Sequence, residues 1–125
     1  MRPMQPIYLE FDYSEDDEGT GLFDALATVT GARWPALQAE AAAVLAWAHA
    51  HFPDGPAPVE DGGSWSYDLH ARQELTVPVA VRFDPEGGTL QTTPGTPDAP
   101  RHTLGLSISG TAAFCAALRE AFGLD

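Results

Sequence analysis

Apolar side chains recur at every second position in five separate stretches of this chain. Ile7, Leu9, Phe11 and Tyr13 do so over residues 7–13, and Phe23, Ala25, Ala27 and Val29 over residues 21–29. Trp65, Tyr67 and Leu69 follow, then Val77, Val79, Val81 and Phe83, then Leu104, Leu106 and Ile108. A strand turns successive side chains to opposite faces, so this period predicts half-buried strands, each with one dry face. Such faces must be covered, and the remaining sequence supplies two covers.

The first is residues 35–52, PALQAEAAAVLAWAHAHF, which is rich in alanine, the best helix former. Leu37, Ala41, Val44, Leu45, Ala48 and Phe52 fall on one helical stripe, with Gln38, Glu40 and His49 largely off it. Pro35 suits the first helical position, whose N–H has no intrahelical partner, and Pro53 stops the run. The second is residues 111–122, TAAFCAALREAF, with Thr111 as N-cap, Phe114, Leu118, Ala121 and Phe122 as its apolar stripe, and Gly123 after its end.

The order β-β-α-β-β-(β)-β-α predicts an α+β fold, a two-layer sandwich. A mainly antiparallel sheet of about five strands carries two helices on one face. Pro78 cannot donate to a ladder, so its strand is expected at an edge or a bulge. Residues 89–92, TLQT, add a short strand, and residues 92–101, TTPGTPDAPR, read as a mobile loop. A chain of 125 residues with no internal repeat fits a single domain over residues 1–125.

Charge narrows the partners. Eighteen acidic residues face six arginines and no lysine, for a net charge of −12. Nucleic acids and anionic membranes are held by basic patches, so neither is expected as a partner. No apolar run nears the roughly 18 residues that span a bilayer. The N-terminal MRPMQPIYLEF lacks the long apolar core of a signal peptide. Cys115 is the sole cysteine, which fits a reducing compartment, and the expected location is cytoplasmic. Abundant Ala, Gly, Pro and Arg without Lys or Asn matches GC-rich, bacterial coding.

The acids concentrate in Glu15, Asp16, Asp17 and Glu18, between the first two strands. A calcium loop started at Asp16 places Glu18, Thr20, Gly21 and Asp24 acceptably, but its twelfth position is Ala27, which has no ligand atom. No metal is expected, and no cofactor: His49 and His51 diverge on their helix, and no H-E-x-x-H, C-x-x-C or helix-opening glycine loop is present. Ser107 and Ser109 lack the glycine pattern of a nucleophile elbow, and Cys115 reads as a small core residue.

The expected function is therefore that of a small acidic binding protein that docks a basic protein, in its sharpest version an immunity-like inhibitor of a basic toxin or nuclease. The expected contacts are Glu15, Asp16, Asp17 and Glu18, with Glu10, Asp12 and Asp24 behind them and Tyr8 and Trp34 as aromatic anchors. Two other readings stand beside it. One is an enzyme using Asp24, Asp68 and His70 on the open sheet face. The other is a homodimeric accessory protein that pairs through a free strand or that face.

Overall fold

The computed structural model describes residues 5–124; Met1 to Met4, part of the N-terminal stretch read above, and Asp125 lie outside them. The fold is α+β, with six strands and two helices. Strands β1 (Asp12–Glu15) and β2 (Gly21–Thr30) form a hairpin. Helix α1 (Trp34–His51) follows a single 3-10 turn. Then come β3 (Trp65–Glu74), β4 (Val79–Asp84), β5 (Thr89–Pro94), β6 (Arg101–Gly110) and helix α2 (Ala112–Phe122).

The sheet differs from the expected five strands. Four antiparallel strands join in the order β1-β2-β6-β3, and β4 and β5 form a separate two-stranded ribbon. The last strand in the chain is thus central, bonded to β2 on one side and β3 on the other. Its even positions Leu104, Leu106 and Ile108 are buried, as are Phe23, Ala25 and Ala27 of β2. Helix α1 lies against β2 and β6, and α2 against β6. Leu37, Ala41, Val44 and Ala48 of α1 meet Phe114, Leu118 and Phe122 of α2 in the same core. The alanines let the helix backbone approach the sheet closely.

Trp65 ties the layers together at one end. It is fully buried, stacks on Phe114 at 5.6 Å between centroids, and donates its indole N–H to the carbonyl of Phe52 at 2.9 Å. That bond satisfies the polar edge of a large apolar side chain, which burial would otherwise penalise. Thr111 caps α2 as expected, its hydroxyl accepting from the N–H of Phe114.

Two sequence expectations are corrected here. Residues 7–11 alternate like a strand but do not pair, and β1 begins only at Asp12. The side chain of Glu40, on α1, takes their backbone donors instead. Its two oxygens accept from the N–H groups of Ile7, Tyr8 and Leu9 at 2.7 to 3.2 Å. Three successive amides around one carboxylate form an anion nest, and amides so engaged cannot join a ladder. Leu9 still reaches the core, whereas Ile7 is exposed.

The second correction concerns Val77, Val79, Val81 and Phe83, whose face was expected to be inward. All four are between 43% and 58% exposed. The β4–β5 ribbon leaves the sheet and nothing among the described residues covers its apolar side. Pro78 sits at the bend before β4, where its carbonyl accepts from Gly95. The loop read as mobile contributes Thr92, Thr93 and Pro94 to β5, and Asp98 donates to the carbonyl of Thr76.

The Glu40 nest makes a direct prediction. Glu40→Ala strands three backbone donors and removes charge-assisted bonds, and it lowers unfolding free energy by about 2–3 kcal/mol in urea titrations. Amide exchange accelerates first at Ile7, Tyr8 and Leu9. Glu40→Gln, which keeps one acceptor oxygen, loses less than the alanine variant.

Candidate functional site

Both helices cover one side of the sheet, so the other side faces solvent. Every second residue of β2, β6 and β3 points there, and the register sets them in rows. One row reads Asp12, Asp24, Ser107, Asp68 across all four strands. The row toward the hairpin tip reads Ser14, Leu22, Ser109, Ser66. The row on the far side reads Leu26, Gly105, His70, and beyond it lie Thr28, Thr103 and Arg72.

Hydroxyls knit this surface. Ser107 donates to Asp24 Oδ1 at 2.7 Å, and the hydroxyl pairs Ser66–Ser109 and Thr28–Thr103 stand 3.0 and 2.9 Å apart. His70 Nδ1 lies 3.8 Å from Asp68 Oδ2, with both side chains well exposed. The imidazole lies over Gly105, where a Cβ would collide with the ring. Asp12 and Asp24 face each other directly, an unfavourable like-charge pair worth about 0.2–1 kcal/mol.

The acidic loop is a built turn at one end of this face. Asp16 Oδ1 accepts from the N–H groups of Glu18 and Thr20, both at 2.9 Å, and Asp16 N–H donates to the Thr20 carbonyl. Gly19 has φ +84, the left-handed conformation that closes the turn. Asp16 is therefore the organiser of the tip, and Asp17 and Glu18 project from it. Glu15 lies on β1, accepting from the Tyr13 hydroxyl at 3.2 Å.

Between this tip and a single 3-10 turn at Val59–Asp61 lies a cleft of about 390 Å³. Asp16, Glu18 and Glu60 supply carboxylates to it, Thr20, Ser66 and Ser109 supply hydroxyls, and Pro58 and Val59 form an apolar wall. The cleft is open to solvent, acidic, and continuous with the Asp12–Asp24–Asp68 row through Ser66 and Ser109. Among the described residues no group of three or more His, Cys, Asp or Glu is arranged to hold a metal ion.

Of the residues singled out from sequence, Asp12, Asp24, Asp68 and His70 share the open face, and Glu15 to Glu18 border it. Glu10 does not belong to it, because it precedes β1 on the segment that Glu40 draws away. Tyr8 and Trp34 are not free anchors. Tyr8 is partly buried and its hydroxyl accepts from Arg33, and Trp34 stacks on His102 at 4.8 Å. The exposed apolar residues of this face are Leu22 and Leu26, either side of Asp24. Glu60 escaped the sequence reading, and Ser107 and Ser109 were weighed there only as nucleophiles and not as members of this face. Leu22 and Leu26 were legible as the off-face positions of a strand, but Glu60 joins only through the tertiary fold.

Cys115 takes no part in this face. It is buried on the inner side of α2, its thiol donating to the Gly110 carbonyl at 3.5 Å, and burial pushes its pKa up. The Tyr13 phenol is also raised, first by burial and then by the nearby Cys115. No helix of the described residues is long and apolar enough to cross a membrane. Comparison with protein families, with characterised proteins and with solved structures finds no match for this chain.

Both raised groups hold their protons more tightly in the folded than in the unfolded chain. Their contribution is complete below the ordinary thiol range and is lost as pH rises through the raised folded values. Urea midpoints are expected to stay level to about pH 8 and fall above about pH 9. Cys115→Ala removes the earlier part of that fall. Iodoacetamide at neutral pH is expected to modify Cys115 only through unfolding, ~100-fold or more below the rate in urea.

Proposed function

We propose that this protein is a small acidic binding protein whose open sheet face docks a basic protein surface. The observation that carries this reading is the continuity of the acidic cleft with the Asp12–Asp24–Asp68 row on one uncovered face. An arginine or lysine of the partner fits the cleft. Three carboxylates attract its charge, the Ser66 and Ser109 hydroxyls offer further acceptors, and Pro58 and Val59 receive its aliphatic stem. Leu22 and Leu26 provide the apolar contact that charge alone does not. An immunity-like inhibitor of a basic toxin or nuclease is the sharpest form of the proposal.

The face suits binding better than acid–base chemistry. The side chains of Asp68 and His70 are 83% and 65% exposed to solvent. General acid–base groups gain their shifted proton affinities from burial or tight charge pairing. A flat, hydrated face with carboxylates at its end favours long-range steering instead, which raises association rates and fades with salt.

Capture from the native cell extract tests this reading, with the protein immobilised at low and at high salt. The informative variant is Glu15→Gln, Asp17→Asn, Glu18→Gln, Glu60→Gln, which leaves Asp16 to hold the turn. A basic protein retained at low salt is expected, and its affinity falls ~10-fold or more in the variant. A second variant, Leu26→Ala, weakens capture without changing the salt dependence. Equal capture of one partner by wild type and both variants would overturn the assignment.

A further inference from the structure

The β4–β5 ribbon is the part of the molecule that the acidic face leaves unexplained. The β3–β6 ladder ends where Glu74 faces Arg101, and the two chains then continue outward together. Asp98 N–H donates to the Thr76 carbonyl, Gly95 N–H to the Pro78 carbonyl, and the ladder resumes from Val79 opposite Pro94. From Glu74 to Asp84 the arm reaches roughly 30 Å at strand rise. The rest of the chain leaves its apolar residues uncovered.

One face of the arm is apolar and uncharged. Leu75, Val77, Val79, Val81, Phe83 and Leu90 are each between 43% and 65% exposed. The charged side chains of the ribbon, Arg82 and Asp84, fall at the alternate positions, and Arg82 donates to Gln91 across the pair at 2.6 Å. A two-stranded ribbon is marginally stable alone in water. The six apolar residues leave on the order of 500 Å² in water, against roughly 800 Å² buried by each partner of a standard interface. That is the size of the largest apolar patch on a typical monomer, and contiguous patches of this size often mark interaction sites.

The same chain carries a matching recess. The helix layer stops short of β3, leaving an apolar groove of about 540 Å³ between α1 and the edge strand. Trp34, Ala41, Leu45, Leu69, Ala71 and Leu104 line it. With Leu69 of the groove and Tyr67 beside it on the same face of β3, 45% and 41% exposed, the apolar stripe of each copy is on the order of 700 Å², close to the roughly 800 Å² per partner of a standard interface.

We propose that a second copy of this chain is the occupant: the arm of each copy lies in the α1–β3 groove of the other, about a two-fold axis. Phe83 and Leu69 are equally far in sequence from Thr76, so an axis near Thr76 sets each Phe83 over the Leu69 of the opposite copy. Both contacts are then made twice, as closed two-fold symmetry requires. The net charge of −12 makes two copies repel, and an uncharged apolar face lets them meet without setting carboxylates against each other. A basic protein gains nothing electrostatically from an uncharged surface.

Sedimentation of the purified protein over a wide concentration range tests the proposal. A dimer is expected, and its dissociation constant holds or tightens as salt screens the like charges, the opposite of the response of the acidic face. Phe83→Asp on the arm and Leu69→Asp in the groove each weaken it by ~30-fold or more. Both positions are exposed, so the fold survives, and circular dichroism checks that it does. Mixing the two variants is the decisive step. The intact arm of one then meets the intact groove of the other, and dimer returns in part. A wild-type monomer at high concentration would overturn the proposal. So would a dimer indifferent to either substitution, and so would failure of the mixture to recover, which points to arm-on-arm packing.

Discussion

The position of β6 is the constraint on which the rest of the structure depends. β2 and β3 do not pair with each other; both are bonded to β6, the last strand in the chain, and the other edge of β2 holds only the short β1. The sheet therefore closes only when residues 101–110 insert between two strands that precede them by many residues. The same insertion completes the core, because Leu104, Leu106 and Ile108 are buried between the helices and the sheet. It also builds the open face, because Ser107 stands between Asp24 and Asp68 and bonds to Asp24. Non-local pairing of this kind raises the entropy cost of assembly before its contacts form. Core and open face are thus both completed by the insertion of one strand, seen from its two sides.

One-sided coverage follows from the supply of helices. Two helices have only enough apolar surface for one face of a four-stranded sheet, and the aromatic cluster of Trp47, Phe52, Trp65 and Phe114 concentrates it at one end. The far side of β3 is left with Tyr67 and Leu69 partly exposed. The opposite face is left entirely to solvent, where hydroxyls and carboxylates are stable without further cover. The molecule consequently offers two unlike surfaces. One is acidic, with Leu22 and Leu26 exposed beside its carboxylates. The other is apolar and uncharged.

The turn at the hairpin tip shows how one charged run serves two roles. Asp16 spends its carboxylate on the backbone donors of Glu18 and Thr20, which fixes the direction of the tip. Its neighbours carry the field. Glu40 presents a comparable case inside the fold, where a carboxylate on the helix organises the backbone of the N-terminal segment. In both places an acidic side chain substitutes for a missing strand partner, which is one structural use of a composition with so few basic residues.

Much of the local structure was legible in the sequence alone. Period two marked β2, β3 and β6, the alanine-rich run marked α1, Thr111 and Gly123 marked the ends of α2, and Glu15 to Glu18 marked an exposed hairpin tip. These features are set by backbone geometry and by neighbours a few residues away. The errors all came from distant competition. Residues 7–11 have a strand's pattern, yet Glu40, more than thirty residues on, captures their amides. Val79, Val81 and Phe83 have a buried strand's pattern, yet the two helices are already committed to β2 and β6. Alternation states that a face wants cover; it does not state where the cover is. Likewise no sequence pattern placed Ser107 between Asp24 and Asp68, or Glu60 beside the acidic tip. Those neighbourhoods come from strand order, which the tertiary structure decides because hydrogen-bonded pairing between strands is indifferent to their separation along the chain.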